Sequence, residues 1–258
     1  MHIHAVQLDP VWENKQASFA KVHALLAGAP PLPGSLIVLP EMFATGFSHQ
    51  LAVTREPEGG ETESFLKAVA AQWQCAVLGG VVTPGPEGKG YNQAVAVAPD
   101  SRILARYTKV HPFSYGPEAE VHAPGIGPVV FEWAGIKMVP LICYDLRFPE
   151  LAREALKQGA ELFIYIAAWP ARRTGHWLAL LQARAIENQA YVLGVNRCGQ
   201  EPETGYSGRS SVIDPQGVII ADASDGEKVL TAELRPETVR SWRREFPAVK
   251  DFIAKAQV

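Results

Sequence analysis

The sequence predicts an α/β protein in which helices pack on sheets of mixed strand direction. Along its 258 residues, apolar runs of strand length alternate with segments of helical period, which is typical of helices layered on a sheet. Turn-forming residues between some neighbouring strands predict hairpins, so part of each sheet is expected to be antiparallel. No linker-like stretch, low-complexity tract or repeat divides the chain. We therefore expect a single domain over residues 1–258.

The first half of the chain predicts five strands and two helices. Strands are expected at residues 2–8, 36–39, 76–82, 91–97 and 103–108. The last two flank Pro99-Asp100-Ser101, which predicts a hairpin, and the continuous apolar run at 36–39 is typical of a strand buried on both faces. Apolar residues at helical spacing predict a helix at 14–26, before a proline-rich break, and another at 62–73.

The second half opens with a long irregular segment. Residues 111–128 contain four prolines and three glycines, and long ordered loops are often functional. Strands at 129–133 and 137–142 are expected to form a hairpin around Ala134-Gly135, and strands at 162–167 and 191–196 follow. Helices are expected at 149–157, with a proline in the first turn, and at 177–189. A last hairpin pairs residues 212–213 with 218–220.

The charge balance and the cysteines exclude several classes of protein. Lys and Arg number 24 and Asp and Glu 27, giving a formal charge of −3, so no summed positive field is available to hold a nucleic acid. Cys75, Cys143 and Cys198 lie far apart, without the spacing of a zinc site or a disulfide framework. His2 and His4 share a strand face but lack further metal-type ligands. We expect a protein without a metal site that works in a reducing cytoplasm.

No segment predicts export or a membrane anchor. The N-terminal residues alternate in polarity and lack the basic and apolar regions of a signal peptide, so they are interpreted as a strand. The longest apolar stretch, 162–171, is about half of the roughly 20 residues that a membrane-spanning helix needs. We therefore expect a soluble protein with no membrane partner.

Three apolar strands end in a polar residue followed by irregular chain. Glu41 follows the strand at 36–39, Lys109 follows the strand at 103–108, and Cys143 follows the strand at 137–142. Ligands in layered α/β folds sit outside the carboxyl ends of strands, so these positions are the first candidates for a site. Each residue alone is explained as a solvated charge or a small core residue. The combination indicates a functional site.

Cys143 lies at a sharp passage from strand to helix, where free backbone N–H groups and the positive helix end favour a thiolate. Its sulfur is therefore a candidate nucleophile. A carboxylate within hydrogen-bond reach would take its proton, and a lysine ammonium would stabilise the anionic oxygen that forms when the sulfur attacks a carbonyl carbon. Glu41 and Lys109 are the candidates for these two groups.

The segments around these residues resemble those of the nitrilase superfamily of carbon–nitrogen hydrolases, whose members use a Glu-Lys-Cys triad. The matching segments are residues 39–43, 107–111 and 142–150. The resemblance extends over nearly the whole chain and includes Gln7, residues 184–191, Asn196-Arg197 and residues 208–217. It implies that Glu41, Lys109 and Cys143 are the catalytic residues.

The same resemblance implies a four-layer α-β-β-α sandwich, in which two mixed sheets are faced by helices. It also implies a homodimer or larger homo-oligomer joined across helices, and no metal or organic cofactor. A second glutamate beside the triad is usual in the superfamily. Glu118, nine positions after Lys109, occupies the corresponding place, with Glu120 as a close alternative. The backbone N–H of Tyr144 is the implied oxyanion donor.

Within the superfamily, several segments most resemble the bacterial omega-amidases: residues 41–47, Trp169-Pro170-Ala171 with Arg173, His176-Trp177 and residues 246–248. This resemblance implies an amidase that hydrolyses the terminal amide of short 2-oxo dicarboxylic acid monoamides, such as 2-oxoglutaramate, through a cysteine thioester. Ala168 stands where relatives carry Asn. Arg173 follows the strand at 162–167, where its guanidinium is placed to grip a substrate carboxylate through two parallel bonds. Among the aromatic residues, only Trp169 and Tyr144 are expected near the substrate.

Other assignments stay open. Cys143, His111 or His176 and Asp145 offer a Cys-His-Asp arrangement, which ranks lower because Asp145 is expected to pair with Arg147. The nearest enzymatic alternatives are another superfamily amidase, an N-carbamoyl hydrolase or a nitrilase. A non-catalytic binding protein that kept the fold is the alternative from a different class, and such a protein is expected to have lost a member of the triad.

Overall fold

Two six-stranded sheets form the centre of the structure, a computed structural model that describes residues 1–255. In the first sheet, β1 (His2–Gln7), β2 (Leu36–Val38) and β3 (Ala76–Pro84) run parallel. The sheet continues antiparallel from β3 through β4 (Gly90–Val97) and β5 (Ile103–Thr108). At the other edge, β14 (Lys228–Glu233) pairs antiparallel with β1.

The second sheet repeats this plan. Its parallel centre consists of β7 (Ile136–Ile142), β8 (Leu162–Ala167) and β9 (Tyr191–Asn196). One edge is β6 (Phe131–Trp133), and the other is formed by β12 (Ser211–Ile213) and β13 (Ile219–Asp222), all paired antiparallel. A separate hairpin joins β10 (Cys198–Gln200) to β11 (Gly205–Ser207). Both large sheets are mixed, which confirms the expectation drawn from the hairpins.

The sheets pack face to face because their central strands carry apolar residues on both faces. Alternate residues of the first sheet, such as Leu36 and Leu78, share one buried core with Phe163 of the second sheet. The residues between them, such as Ile37 and Val77, belong to a second core that packs against α1 (Lys15–Gly28) and α3 (Glu61–Trp73). The period-two pattern of each strand thus places helices on one face and the partner sheet on the other.

Helices α5 (Pro149–Lys157) and α6 (Thr174–Asn188) cover the outer face of the second sheet. The approach is close at Gly194 of β9, where an added Cβ would lie 2.5 Å from Leu181 and 2.6 Å from Trp177 of α6. Any larger residue at Gly194 would push this helix away from the sheet. The order helix, sheet, sheet, helix confirms the implied four-layer sandwich.

The sequence predicts the strands of both sheets up to residue 220 and the helices that pack on them, but it misses several short elements in that part of the chain and the elements after residue 222. Helix α6 begins three residues before its predicted start at residue 177. The short helices α2 (Leu51–Thr54) and α4 (Glu118–Val121), the strands β10, β11 and β14, and the helices α7 (Pro236–Glu245) and α8 (Ala248–Lys255) were not expected. Of α7, only Val239 is buried, so its apolar pattern is too weak to read from the sequence. None of the helices within residues 1–255 is long and apolar enough to cross a membrane.

Candidate active site

The candidate site lies where the carboxyl ends of strands from both sheets meet. A cavity of about 530 Å³ is lined there by Lys109, which follows β5, by Cys143, which follows β7, and by Trp169, which follows β8. Glu118, from the loop at 111–128, lines the same cavity. Glu41 follows β2 and is fully buried, bonded to Lys109. The fold therefore brings together the residues that the sequence places at three separate strand ends.

The backbone bends sharply at two of these strand ends. Cys143 has a φ of +46° and Met42, next to Glu41, has a φ of +47°, both in the left-handed region that is uncommon for residues other than glycine. Such strain costs on the order of 1–3 kcal/mol per residue and is concentrated at functional sites. The turn at Met42 also needs a glycine in β3, because a Cβ at Gly80 would lie 2.3 Å from the Met42 nitrogen. Both turns aim functional residues at the space between the sheets.

Lys109 bridges two buried glutamates. Its Nζ lies 2.9 Å from Glu41 Oε1 and 2.8 Å from each carboxylate oxygen of Glu118. The three side chains are at most 1% exposed, and buried charges are tolerated only when they are paired. Glu120, by contrast, is exposed on α4. Glu118 is therefore the glutamate that joins the cluster.

Asn92 of β4 completes the cluster and was not expected from the sequence. Its Nδ2 donates to Glu41 Oε1 at 2.7 Å and to Glu118 Oε1 at 2.9 Å, so a single amide holds both carboxylates in place. The backbone N–H of Ala168 donates to Glu41 Oε2 at 2.9 Å. This last contact needs no particular side chain at position 168. Asn92 lies beside another polar residue, Gln93, in β4, so no sequence signal sets it apart.

The surroundings shift the pKa values of the two glutamates in opposite directions. Burial raises the pKa of Glu41, with Lys109 opposing the shift and Glu118 adding to it. Burial also disfavours the charged form of Glu118, but its contacts with Lys109, the Phe113 N–H and Asn92 outweigh burial, so the pKa of Glu118 is lowered. Burial alone would lower the pKa of Lys109, but the two carboxylates raise it above its ordinary value. The surroundings thus favour the ionised form of Glu118 more than that of Glu41.

Burial disfavours the charged form of the Cys143 thiol. Burial raises its pKa well above the ordinary value, the negative charge of Glu41 raises it further, and Lys109 opposes the shift. This shift runs against the expectation that the position favours a thiolate, because the cost of desolvation opposes the local backbone dipoles. The chain that follows Cys143 is a short 3₁₀ turn (Cys143–Arg147), which offers less dipole than the start of a long helix. The thiol must therefore lose its proton to a base as it reacts.

Asp145 does not pair with Arg147, contrary to the sequence expectation. It is fully buried and accepts hydrogen bonds from the Tyr107 hydroxyl at 2.7 Å and the Ile142 N–H at 3.1 Å, while Oδ1 lies 3.0 Å from His111 Nδ1. Asp145, His111 and His176 are all absent from the lining of the cavity that holds Cys143. The alternative Cys-His-Asp arrangement is therefore not assembled. Within residues 1–255, no group of three or more His, Cys, Asp or Glu side chains is placed to hold a metal ion.

Arg173 and Trp169 both lie on the cavity wall. The indole N–H of Trp169 donates to the Arg173 carbonyl oxygen at 2.8 Å, and the Arg173 guanidinium lies 5.3 Å from the centre of the Phe113 ring. Tyr144 also lines the cavity, with its ring edge-on to Phe113 at 5.1 Å. A cation supported by aromatic rings thus shares one cavity with Cys143.

More aromatic residues surround the cavity than the sequence suggests. Phe47, Phe113 and Tyr115 line it in addition to the expected Trp169 and Tyr144. The cavity wall thus contains more aromatic residues than the two that are expected near the substrate. The reason is that the turn after β2 and the loop at 111–128 both fold over the strand ends, which no local pattern in the sequence predicts.

Glu201 is a further cavity residue that sequence reasoning missed. Its carboxylate accepts hydrogen bonds from the Phe47 N–H and the Tyr206 hydroxyl, both at 2.7 Å, and from the buried Arg197. Arg197 also pairs with Asp9 at 3.0 Å. This network ties the turn after Glu41 to the hairpin of β10 and β11. Arg197 and Tyr206 are close to Glu201 in sequence, but Phe47 and Asp9 lie more than a hundred residues from their partners, so no local motif predicts the network.

Comparison with known proteins identifies the family. A family model described as carbon-nitrogen hydrolase matches residues 3–244. Omega-amidase YafV of Yersinia enterocolitica is 40% identical over 248 residues, covering 95% of this chain and 94% of the relative. The deaminated glutathione amidase of Synechocystis is 38% identical over 83% of this chain and 85% of its own, and the 2-oxoglutaramate amidase of Bacillus subtilis is 33% identical over 84% of each chain.

Solved structures agree with this result. XC1258 from Xanthomonas campestris, a CN-hydrolase superfamily protein with an arsenic adduct in its active site, has a TM-score of 0.90 at 32% identity, over 97% of this chain and 96% of its own. An amidase from Nesterenkonia sp. AN1, in which acrylamide has added to the active-site cysteine, has a TM-score of 0.82 at 26% identity, over 95% of this chain and 97% of its own. The chain therefore belongs to the carbon-nitrogen hydrolase family and is an amidase of the nitrilase superfamily.

Proposed function

We propose that this amidase hydrolyses the terminal amide of short dicarboxylic acid monoamides, with 2-oxoglutaramate as the model substrate. The observation that carries the proposal is the shared cavity. It brings Cys143, next to the buried Glu41–Lys109 pair, together with the Arg173 guanidinium. A short substrate with an amide at one end and a carboxylate at the other fits this pairing of nucleophile and cation. The names of the relatives from Yersinia enterocolitica and Bacillus subtilis support the same substrate class.

In the proposed mechanism, Cys143 is the nucleophile and Glu41 the proton carrier. The sulfur attacks the amide carbon while Glu41 takes the thiol proton, and Lys109 with the Tyr144 N–H holds the resulting oxyanion. The tetrahedral intermediate then collapses. The carbon–nitrogen bond breaks, Glu41 returns its proton to the leaving nitrogen, and ammonia departs to leave a thioester. Glu41 next takes a proton from water, whose oxygen attacks the thioester. The carbon–sulfur bond then breaks, and Glu41 returns this proton to the departing sulfur to restore the thiol.

Glu118 has a different part in this scheme. Because its pKa is lowered, it remains ionised and keeps Lys109 protonated throughout the cycle. Lys109 is then available as a fixed positive charge beside the developing oxyanion, and no proton has to pass through it. Asn92 positions both glutamates. Glu41 thus carries the proton, while Glu118 maintains the positive charge of Lys109.

We extend the proposal to a cytoplasmic homo-oligomer without a cofactor. All three cysteines are free thiols, which suits a reducing compartment. Ile186 of α6 and Val218 are more than half exposed and lie beside each other at Gly217, which leaves an apolar surface for a second copy. Light scattering after size exclusion measures the oligomer, and a monomer would contradict this part.

The substrate class is tested by ammonia release from a panel of compounds. The panel contains 2-oxoglutaramate, succinamate, the neutral analogue 4-oxopentanamide, deaminated glutathione, an N-carbamoyl amino acid and an aliphatic nitrile. We expect the highest kcat/KM for 2-oxoglutaramate and succinamate. A preference for the neutral amide, the nitrile or the carbamoyl compound would overturn the proposal while leaving the Cys143 chemistry intact. A preference for deaminated glutathione would move the enzyme to the activity named for its relative from Synechocystis.

A further inference from the structure

A second cluster of buried polar groups lies beside the cavity, centred on Glu201 in the turn of the β10–β11 hairpin. The Glu201 side chain is 7% exposed and lines the cavity that holds Cys143. Its carboxylate pairs with Arg197, which is fully buried, and accepts a hydrogen bond from the Tyr206 hydroxyl at 2.7 Å. None of these groups takes part in the chemical steps of the proposed mechanism.

Arg197 holds the Glu201 carboxylate from the interior of the protein. Its guanidinium also pairs with Asp9 at 3.0 Å, donates to the Cys198 carbonyl oxygen at 3.2 Å and lies 4.3 Å from the centre of the Tyr206 ring. Each guanidinium nitrogen thus has an acceptor, as a buried guanidinium requires. Glu201 is therefore anchored to a partner whose own position is fixed.

Glu201 also holds the irregular segment that follows Glu41. Its Oε1 accepts a hydrogen bond from the backbone N–H of Phe47, which lies in that segment, at 2.7 Å. The neighbouring Gly46 has a φ of +73°, and a Cβ there would lie 2.8 Å from the same Glu201 oxygen. The carboxylate therefore approaches the backbone closely at a position that needs glycine. The hairpin and the turn after Glu41 are fitted to each other at this contact.

The turn that Glu201 holds forms part of the surroundings of Lys109. The Nζ atom of Lys109 lies 5.5 Å from the centre of the Phe47 ring, within the range of a cation–π contact. The same Nζ lies 2.9 Å from Glu41 Oε1. Glu41 and Phe47 thus lie at the two ends of one turn, and both contact the lysine. Loosening the Phe47 end would change the position of Lys109 relative to Glu41.

Arg197 supports Glu41 by a second route, through the end of β8. The backbone N–H of Arg197 donates to the Ala167 carbonyl oxygen at 3.0 Å. The next residue, Ala168, donates its own N–H to Glu41 Oε2 at 2.9 Å. The same buried arginine is thus connected to both backbone segments that hold the Glu41 carboxylate.

We propose that Glu201 is a positioning residue, which holds Glu41 and Lys109 in their reactive geometry through the turn at 42–47. Arg197 fixes the Glu201 carboxylate, and the carboxylate fixes the backbone of that turn. Within residues 1–255, Glu201 forms no hydrogen bond with Glu41, Lys109 or Cys143, so its effect reaches the chemistry through geometry. The inference rests on the proposed roles of Glu41 and Cys143, and it does not depend on the substrate class.

The test uses two reactions of Cys143 that need no substrate carboxylate, the hydrolysis of 4-oxopentanamide and alkylation by iodoacetamide. Glu201→Met removes the acceptor for the Phe47 N–H and keeps the length of the side chain. We expect kcat for 4-oxopentanamide to fall by about 10- to 100-fold and KM to change by less than about threefold, because a small misplacement of reacting groups costs rate rather than binding. Alkylation of Cys143 should slow by a similar factor. Unchanged kcat and alkylation in Glu201→Met would overturn the inference.

Glu201→Gln is the conservative variant. Its amide oxygen can still accept from the Phe47 N–H, but it cannot form the ion pair with Arg197. We expect a loss of kcat smaller than that of Glu201→Met but of at least about threefold, since the acceptor is kept and its anchor is weakened. If Glu201→Met does not fold, Glu201→Gln decides, and wild-type kcat in that variant would overturn the inference.

A pH profile separates positioning from a simple loss of charge. The titratable groups that face Glu41 are Lys109, Glu118 and Cys143. Lys109 lowers the pKa of Glu41, so a turn that lets these two groups move apart should raise this pKa. The acidic limb of kcat/KM for 4-oxopentanamide should therefore move to higher pH in Glu201→Met. Removal of a negative charge without movement would shift the limb to lower pH or leave it in place, and either result would overturn the inference.

Glu203→Gln is the matched control. Glu203 lies in the same hairpin turn and is exposed, and within residues 1–255 it takes part in no salt bridge or side-chain hydrogen bond. The variant removes the same charge from the same turn, and we expect kcat to stay within about twofold of wild type, as is usual for exposed charges. A loss as large as that of Glu201→Met would mean that only the charge of the hairpin matters, which would overturn the inference.

Glu41→Gln distinguishes a failure of this inference from a failure of the proposed mechanism. Both 4-oxopentanamide hydrolysis and Cys143 alkylation should be slow in Glu41→Gln, because the base is lost. If both reactions are slow in that variant but fast in Glu201→Met, the positioning role of Glu201 is overturned and the mechanism stands. If Glu41→Gln reacts like wild type, the proposed role of Glu41 is itself overturned, and the inference falls with it.

Discussion

The two sides of the cavity hold their charges in opposite ways. On one side, Glu41, Lys109 and Glu118 are sealed from solvent and pair with one another. On the other side, Arg147 and Arg173 are half-buried and rest on aromatic rings. Every charge of the first group has a partner within the protein. The charges of the second group are supported by stacking and remain able to accept an anion.

This difference separates the proposed catalytic group from the arginines, of which Arg173 is proposed to select the substrate. A buried, fully paired cluster keeps its geometry and its pKa values whichever substrate binds, because its environment is supplied by the protein. Half-exposed cations gain their partner only when an anionic substrate arrives, so their contribution depends on the substrate. Changes in the buried cluster should therefore affect all amides equally, and changes at the arginines should affect acidic amides selectively.

The largest expected effect is the loss of the nucleophile. Cys143→Ala and Cys143→Ser are expected to reduce turnover of every substrate by about 10⁴-fold or more, because no other group can form the thioester. Circular dichroism and the melting temperature should stay close to wild type. Iodoacetamide should label Cys143 with loss of activity, while the buried Cys75 and Cys198 stay unlabelled. Inactivation through Cys75 or Cys198 with Cys143 free would show that the nucleophile is wrongly assigned.

The next largest effect is expected from breaking the buried pair. Lys109→Met and Glu41→Gln should each lower kcat/KM by at least about 100-fold on acidic and neutral amides alike. The double variant should lose less than the product of the two single losses, since the residues act as a unit. Lys109→Met should also destabilise the fold by about 3–5 kcal/mol, because it leaves buried carboxylates unpaired. A fully active Lys109→Met enzyme would show that this lysine is a structural residue and not a catalytic one.

A smaller, substrate-selective effect is expected at the arginine side. Arg173→Ala should cost about 2–4 kcal/mol in kcat/KM for 2-oxoglutaramate or succinamate, because a bidentate contact to a carboxylate is lost. Neutral amides should keep most of their activity in the same variant. Equal losses on both kinds of substrate would mean that Arg173 is structural, and the contrast between the two sides of the cavity would fail.

The smallest expected effect is a shift in pH dependence. Because the raised pKa of Glu41 must be exceeded for it to act as a base, the acidic limb of kcat/KM should lie above the ordinary glutamate value of 4.5. Glu118→Gln removes the neighbouring negative charge that raises the pKa of Glu41, so the acidic limb of the pH profile of kcat/KM should move to lower pH. The pH profiles of both enzymes on 4-oxopentanamide measure this shift without involving the arginines. A limb that moved to higher pH would contradict the division of roles between the two glutamates.

The site residues that the sequence predicts differ in one respect from those that it misses. Glu41, Lys109 and Cys143 each follow an apolar strand, so a local pattern marks them. Asn92 and Glu201 are not marked in this way. Asn92 lies inside a strand, where it bonds to Glu41, and Glu201 bonds to Phe47, which is more than a hundred positions away in sequence. The pairing of Asp145 was mistaken for the same reason, since Arg147 is near it in sequence while Tyr107 is near it in space.

Apolar periodicity and turn residues by themselves predicted most of the strands, the helices α1, α3, α5 and α6, and the mixed sheets of this protein, because burial on one face or on two faces determines the spacing of apolar side chains. Periodicity also marked the strand ends that carry Glu41, Lys109 and Cys143. Only the tertiary structure decided which glutamate joins Lys109, that burial raises the pKa of the Cys143 thiol, and that Arg147 lines the cavity instead of pairing with Asp145. Those outcomes depend on desolvation and on contacts between distant segments, and both exist only after the two sheets have packed together.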